Sequence, residues 1–251
     1  TPRTAILLAS VMNFIGALTF TGVAGTITKD IVDPFKLENG LVVVLAAIIA
    51  AILWNLITWY YGIPSSSSHA LIGSIAGAAI ASQGSFAVLH YEGFTKIIVV
   101  LLVSPIIAFC VGFIMYTIVK IVFKNANLTR ANRNFRFFQM FTAALQSFSH
   151  GTNDAQKAMG IITMALISAN MQSTTDIELW VKISCATAMG LGTAVGGWKI
   201  IKTVGGNIMK IRPANGAAAD LSSALTIFVA SSLHFPLSTT HVVSSSILGV
   251  E

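Results

Sequence analysis

Charge is what this sequence has least of. Of its 251 residues only 10% are Asp, Glu, Lys or Arg, against roughly a quarter in a soluble domain. That excludes a water-solvated globular fold of this length. Cysteine is almost missing. Cys110 and Cys185 each sit within an apolar run, which excludes a disulfide framework and reads as two small core residues rather than metal ligands. No signal-peptide pattern opens the chain. The formal net charge of +6 belongs to loops, where the positive-inside rule accounts for it, and it implies no nucleic-acid partner.

Apolar residues fill the space that charge leaves. They make up 55% of the chain, and the mean hydropathy is +0.79. Runs of the length a bilayer-spanning helix needs recur along it. Residues 5–27, 41–61, 97–123 and 180–201 read as spans, with Pro105 a kink in the third, and 216–233 reads as another. Residues 70–82, 137–149, 161–169 and 237–250 are apolar but too short to cross alone. Such pieces beside polar motifs predict broken or re-entrant helices, which survive at membrane depth only where their backbone lines a protein cavity. The fold class is therefore an all-α integral membrane protein, a polytopic helical bundle.

Two stretches answer each other. "GIPSSSSHALIG" starts at Gly62 and "HFPLSTTHVVSS" at His234, so that Pro64 matches Pro236, Ser66 matches Ser238, Ser67 and Ser68 match Thr239 and Thr240, and His69 matches His241. The offset is 172 residues (236 − 64). A proline, three hydroxyls and a histidine in the same register twice predict an internal duplication. Loop charge orients the halves. The loop after the first span holds Lys29, Asp30, Asp33, Lys36 and Glu38, mostly acids, whereas its counterpart holds Lys199, Lys202, Lys210 and Arg212 and no acid. Equivalent loops on opposite membrane faces make an inverted repeat, an architecture of secondary transporters. On this division residues 1–123 form the first repeat and 137–251 the second. Residues 124–136 form a basic cytoplasmic linker with Lys124, Arg130, Arg133 and Arg136.

The chemistry lies in three short motifs. Proline and serine before an apolar segment predict a capped helix start, whose unpaired N–H groups and positive dipole end attract an anion. The hydroxyls of Ser66, Ser67, Ser68, Ser238, Thr239 and Thr240 would add donors, while His69 and His241 orient the turns. A plain capped turn is the simpler alternative. The third motif, "HGTNDAQKAM" from His150, puts Asp154 and Lys157 three residues apart, where they can neutralise each other as a structural ion pair. The sharper reading divides their labour: Thr152, Asn153 and Asp154 offer hard oxygens to a small cation, and Lys157 a point charge to an anion. Gly151 and Gly160 would let the helix unwind there. Binding both ions together is cotransport chemistry.

"GTNDAQKAMG" resembles the signature of the inorganic phosphate transporter family, as do the two Pro-x-hydroxyl segments. The resemblance covers essentially the whole chain. It implies no enzyme but a multi-pass cell-membrane symporter working by alternating access. Its partners would be inorganic phosphate, a coupling cation (Na⁺ or H⁺) and the lipid bilayer. No other cofactor is implied, and a homo-oligomer is left open. Carried over residue by residue, phosphate would meet Ser66, Ser67, Ser68, Thr152, Asn153, Lys157, Ser238, Thr239 and Thr240, and Na⁺ would meet Thr152, Asn153 and Asp154. An anion channel or, further off, an intramembrane hydrolase are the competing classes. Members of the family carry Gly-x-Asn-Asp in both halves, yet one copy is present here, at Gly151–Asp154. Shifting Asp154 back by 172 gives position −18 (154 − 172). The chain is thus read as a piece of a longer protein, with the second motif roughly 12–22 residues upstream of Thr1 and roughly 45 residues following Glu251.

Overall fold

A computed structural model describes residues 2–33, 35–37, 39–124, 128–195 and 212–251. Glu38, Lys199, Lys202, Lys210 and the end of the 180–201 span lie outside the described residues, as do the side chains of Arg130 and Arg133. The described helices are α1 (Pro2–Ala17), α2 (Gly22–Asp30), α3 (Gly40–Tyr61), α4 (Ser67–Gln83), α5 (Tyr91–Val122), α6 (Leu128–Ser168), α7 (Leu179–Val195), α8 (Pro213–Ser232) and α9 (Thr239–Gly249). A single 3-10 turn, Phe86–Val88, joins α4 to α5, and one isolated bridge pairs Val32 with Leu89.

By length and composition α3 and α5 can each cross a membrane, and α1 with α2 makes a third apolar stretch bent by 66° at its break. At 32 residues α5 extends about 48 Å, more than the ~30 Å hydrocarbon core requires. Its outer surface is lipid-like: Leu102, Ile106, Phe113 and Ile114 are exposed. The protein is a multi-pass helical membrane protein.

The duplication is visible bond by bond. After α3 the chain turns through Gly62 in the left-handed region (φ 70°), with Gly62 N donating to Trp59 O (3.1 Å) and Ile63 N to Thr58 O (2.9 Å). After α8, His234 (φ 63°) donates to Ser231 O (3.1 Å) and Phe235 to Ala230 O (2.8 Å). Each of these residues lies 172 positions from its twin. Then Ser66 and Ser238 cap the next helices, accepting from His69 N and His241 N respectively.

The twin hairpins run in opposite directions relative to α5. Ile72, Ile75 and Ala79 of α4 share a core with Ile97 and Leu101, near the start of α5. Ile247 and Val250, at the far end of α9, pack with Met115, Tyr116 and Val119, near its finish. The two helices therefore point away from each other and meet at their N-termini, level with the middle of α5, where Ala108 packs with Leu237 and Val242. The hairpins α3–α4 and α8–α9 thus run in opposite senses, as the halves of an inverted repeat would.

Four expectations need correction. Residues 5–27 are not one continuous helix: the chain breaks after Ala17 and resumes as α2, with Leu18 and Thr19 closing the turn onto Ile15 O and Gly16 O. The short segments 137–149 and 161–169 belong to one 41-residue helix, α6, whose helical stretch also reaches back into the basic linker. Gly151 and Gly160 do not unwind it. A Cβ at Gly151 would strike Asn13 O, and one at Gly160 would strike Ala24 O, so their missing side chains let α1 and α2 lie directly on α6. Thr28 uses that closeness, donating to Gly160 O at 3.1 Å. Cys110 is exposed and not a core residue, whereas Cys185 is buried beside Ala155, Met159 and Val181.

The close approach at Gly151 yields a prediction. Gly151→Val should destabilise the detergent-solubilised full-length protein by about 1–3 kcal/mol through overpacking, seen as a lower thermal midpoint. An unchanged midpoint would mean that α1 does not rest there.

Candidate functional site

Where α4 and α9 begin, their first turns face each other. Pro64 and Pro236 precede the caps, and the His69 and His241 rings stand 5.0 Å apart between centroids. Two reciprocal bonds tie the turns together. Ser68 Oγ donates to Leu237 O (2.8 Å), and Thr240 Oγ1 donates to Ser65 O (3.3 Å). Ser68 is the twin of Thr240 and Ser65 of Leu237, so residue contacts follow a local two-fold axis between the helix starts, as in an isologous interface.

Against this symmetric frame α6 sets one asymmetric charge pair. The Lys157 ammonium, on a side chain 3% exposed, donates to Ser68 Oγ (2.6 Å), Leu237 O (2.9 Å) and Asp154 Oδ1 (2.5 Å). All three of its protons are engaged. The other carboxylate oxygen of Asp154 accepts from Thr239 Oγ1 (2.9 Å) and lies 3.2 Å from His150 Nε2. His150 is held in turn by Asn13, whose Oδ1 is 2.9 Å from Nδ1, and Asn13 Nδ2 reaches Thr193 Oγ1 at 3.1 Å.

On its neighbouring face α6 grips the turn before α9. Asn153 Nδ2 donates to Ser231 Oγ (3.1 Å) and Phe235 O (3.1 Å), and its Oδ1 accepts from Leu237 N at 3.4 Å. Thr152 Oγ1 reaches Ser149 O (2.6 Å) and Ser231 Oγ (3.1 Å). Both side chains are fully buried. Gln156 bridges to Thr152 O and accepts from Ala24 N, tying α2 in. Hydroxyl, amide and carbonyl oxygens gather here at the C-terminal, electronegative end of α8.

Of the residues singled out from sequence, Ser68, Asp154, Lys157 and Thr239 converge in one network, and Thr152 and Asn153 converge on Ser231 beside it. Ser66 and Ser238 spend their hydroxyls capping their own helices. Ser67 is exposed on the first turn of α4, outside that network, and Thr240 faces Ser65. Sequence reading missed Ser231, Asn13, Gln156, the role of His150 and the Leu237 carbonyl. His150 lies one helical turn from Asp154, a signal that was available. Ser231 and Asn13 had none beyond being polar within apolar runs.

The arrangement offers an oxyanion two helix starts and one ammonium, and a hard cation a carboxylate beside neutral oxygens. Among the described residues no group of three or more His, Cys, Asp or Glu could hold a metal ion. A single carboxylate with neutral oxygens suits a weakly held monovalent ion or a proton.

Known proteins share this frame. The sequence profile of the phosphate transporter family matches residues 1–132 and 123–251. A probable low-affinity inorganic phosphate transporter of Bacillus subtilis (strain 168) is 71% identical over 250 residues, covering 99% of this chain and 75% of that protein. One of Mycobacterium bovis is 44% identical over 250 residues, and there the chain spans 60% of the relative's length. A solved structure, the sodium-dependent phosphate transporter, superposes with a TM-score of 0.89 at 26% identity, covering all of this chain and 80% of that one. With a family profile along its whole length and a relative this similar, the chain belongs to the phosphate transporter family.

Proposed function

We propose that this chain carries the substrate site of a symporter that moves inorganic phosphate with a coupling cation by alternating access. The observation that supports it is the buried Lys157, placed where two inverted helix starts meet and paired with Asp154. Phosphate would sit between the starts of α4 and α9, taking donors from Lys157, Ser67, Ser68, Thr239 and Thr240. Backbone N–H groups and dipole ends add attraction without a fixed full charge, so the ion can leave again.

The cation takes the carboxylate side. Asp154, with oxygens of Thr152, Asn153 and Ser231, would hold Na⁺, or Asp154 alone would take H⁺. When the cation engages Asp154, Lys157 loses its partner and is free for phosphate. Each ion thus prepares the place of the other, which is the coupling that separates a symporter from an anion channel. Residues 1–123 and 137–251 act as the two repeats, rocking about the site at their junction.

Asp154→Asn should leave the full-length protein inserted and monodisperse in detergent but abolish cation-stimulated phosphate uptake into liposomes. Uptake with normal cation dependence would sink the assignment. Thr239→Ala removes one hydrogen bond to Asp154, about 1 kcal/mol, and should raise the KM for phosphate roughly fivefold. Ser65→Ala should leave KM near its starting value, because Ser65 contributes its carbonyl to Thr240 and the twin position is Leu237. Comparable damage from both substitutions would contradict the two-fold alignment.

A further inference from the structure

The two-fold relation makes one residue conspicuous. Gly62 and His234 occupy twin positions, both with positive φ (70° and 63°). Glycine takes that conformation freely, whereas a residue with a Cβ is strained there by about 1–2 kcal/mol. The second repeat keeps the strained backbone and adds an imidazole. The strain is held by Thr26 Oγ1, which donates to His234 O at 2.8 Å, and the ring packs on Gly22 of α2, where a Cβ would collide with it. Non-glycine residues fixed in such backbone regions cluster at functional sites.

His234 faces a cavity of about 170 Å³ that Thr26, Lys96, Phe235 and Pro236 also line. Lys96 Nζ stands 5.0 Å from the centroid of the Phe235 ring, with no carboxylate within ion-pairing distance among the described residues, although Glu92 lies one helical turn away. No acid lines the cavity. Its wall is thin: Pro236 faces the cavity, and the next residue, Leu237, accepts from Lys157 at 2.9 Å. Phe235, beneath Lys96, gives its carbonyl to Asn153. One face of α5 leads inward from Lys96 through Val100 to Ser104 at successive i, i+4 steps. Ser104 is buried with no hydrogen-bond partner, an orphan hydroxyl on that path.

We infer that Lys96 and His234 form an outer anion subsite, a vestibule that collects a phosphate ion before the turn at residues 234–237 admits it to the buried site. An ammonium over an aromatic face and an exposed imidazole give a tetrahedral oxyanion two donors without a competing carboxylate. A mouth of charge opposite to the ion concentrates it and speeds capture, most at low ionic strength. The inference rests on the transport reading above.

Phosphate uptake by the full-length protein in liposomes tests it. Lys96→Glu should raise the KM for inorganic phosphate about tenfold at low ionic strength and markedly less in high salt, with the maximal rate unchanged. His234→Gly, which suits the φ of its twin, should keep the fold and raise KM several-fold. Lys96→Gln should fall between wild type and Lys96→Glu. A KM within twofold of wild type for Lys96→Glu and His234→Gly at both ionic strengths would overturn the vestibule while leaving the transport reading intact. Absence of phosphate uptake by the wild-type protein would instead overturn that reading. A fall in maximal rate at constant KM would also reject the vestibule, since it marks damage to the translocation step.

Discussion

The ammonium of Lys157 must find three acceptors away from water, and the positions of three separate helices follow from that need. Withdrawing such a charge from solvent costs several kcal/mol unless its hydrogen bonds are satisfied. Ser68 comes from α4, the Leu237 carbonyl from the turn before α9, and Asp154 from α6 itself. Sliding α6 by one turn, about 5.4 Å, would strand the ammonium against apolar neighbours. The register of α6 is held elsewhere too. Gly151 admits the backbone of α1 and Gly160 that of α2, and Gln156 and Thr28 bond across the second contact. A long helix carrying a buried charge therefore sits in a slot cut for it on several sides.

Around that charge the scaffold is symmetric and the chemistry is not. The reciprocal bonds Ser68 to Leu237 O and Thr240 to Ser65 O satisfy the local two-fold axis, yet Lys157 reaches only the Ser68–Leu237 pair. Symmetry supplies what an anion needs from backbone, two helix starts aimed at one place. Asymmetry supplies the charge balance. The frame arises from a short sequence repeat at the one level where opposite-running helices can meet tip to tip, and the charge pair is set into it by α6.

Much of this was legible before the structure because the repeat repeats local physics. Shifted by 172, the bounds of α3 become 212–233, and α8 occupies Pro213–Ser232; the start of α4 becomes 239, where α9 begins. Proline, a serine cap and a left-handed residue after the preceding helix are local instructions, readable in a line of text. The break between α1 and α2 was not legible, since residues 5–27 carry no charge and read as one apolar run, and the bend that lets Gly22 receive the His234 ring is a tertiary contact. Continuity of α6 was hidden for the opposite reason. Its polar centre imitates a helix end, and only packing against α1, α2 and α8 shows where those polar groups go. The Leu237 carbonyl has no signature at all, because any residue carries one. Thr239 and Ser68 were found by their hydroxyls, but their acceptors were tertiary.

Coupling, on the proposed reading, is a matter of charge bookkeeping inside a low-dielectric site. With Asp154 and Lys157 paired, the cluster carries one charge of each sign at contact distance. A phosphate ion arriving alone draws Lys157 away and leaves the carboxylate facing a second anion. A cation arriving alone leaves the ammonium without its counter-charge. At an effective dielectric near 20, one uncompensated contact at 4 Å is worth about 4 kcal/mol, close to a thousandfold in occupancy. Arriving together, the two ions give each protein charge a new partner and the site keeps its balance. A hydroxyl frame with no charge pair would bind phosphate without consulting the cation, and a carboxylate without its lysine would bind the cation without consulting phosphate. On that reading, placing Asp154 and Lys157 one helical turn apart, where each can hold the other, would make the binding of one ion conditional on the other.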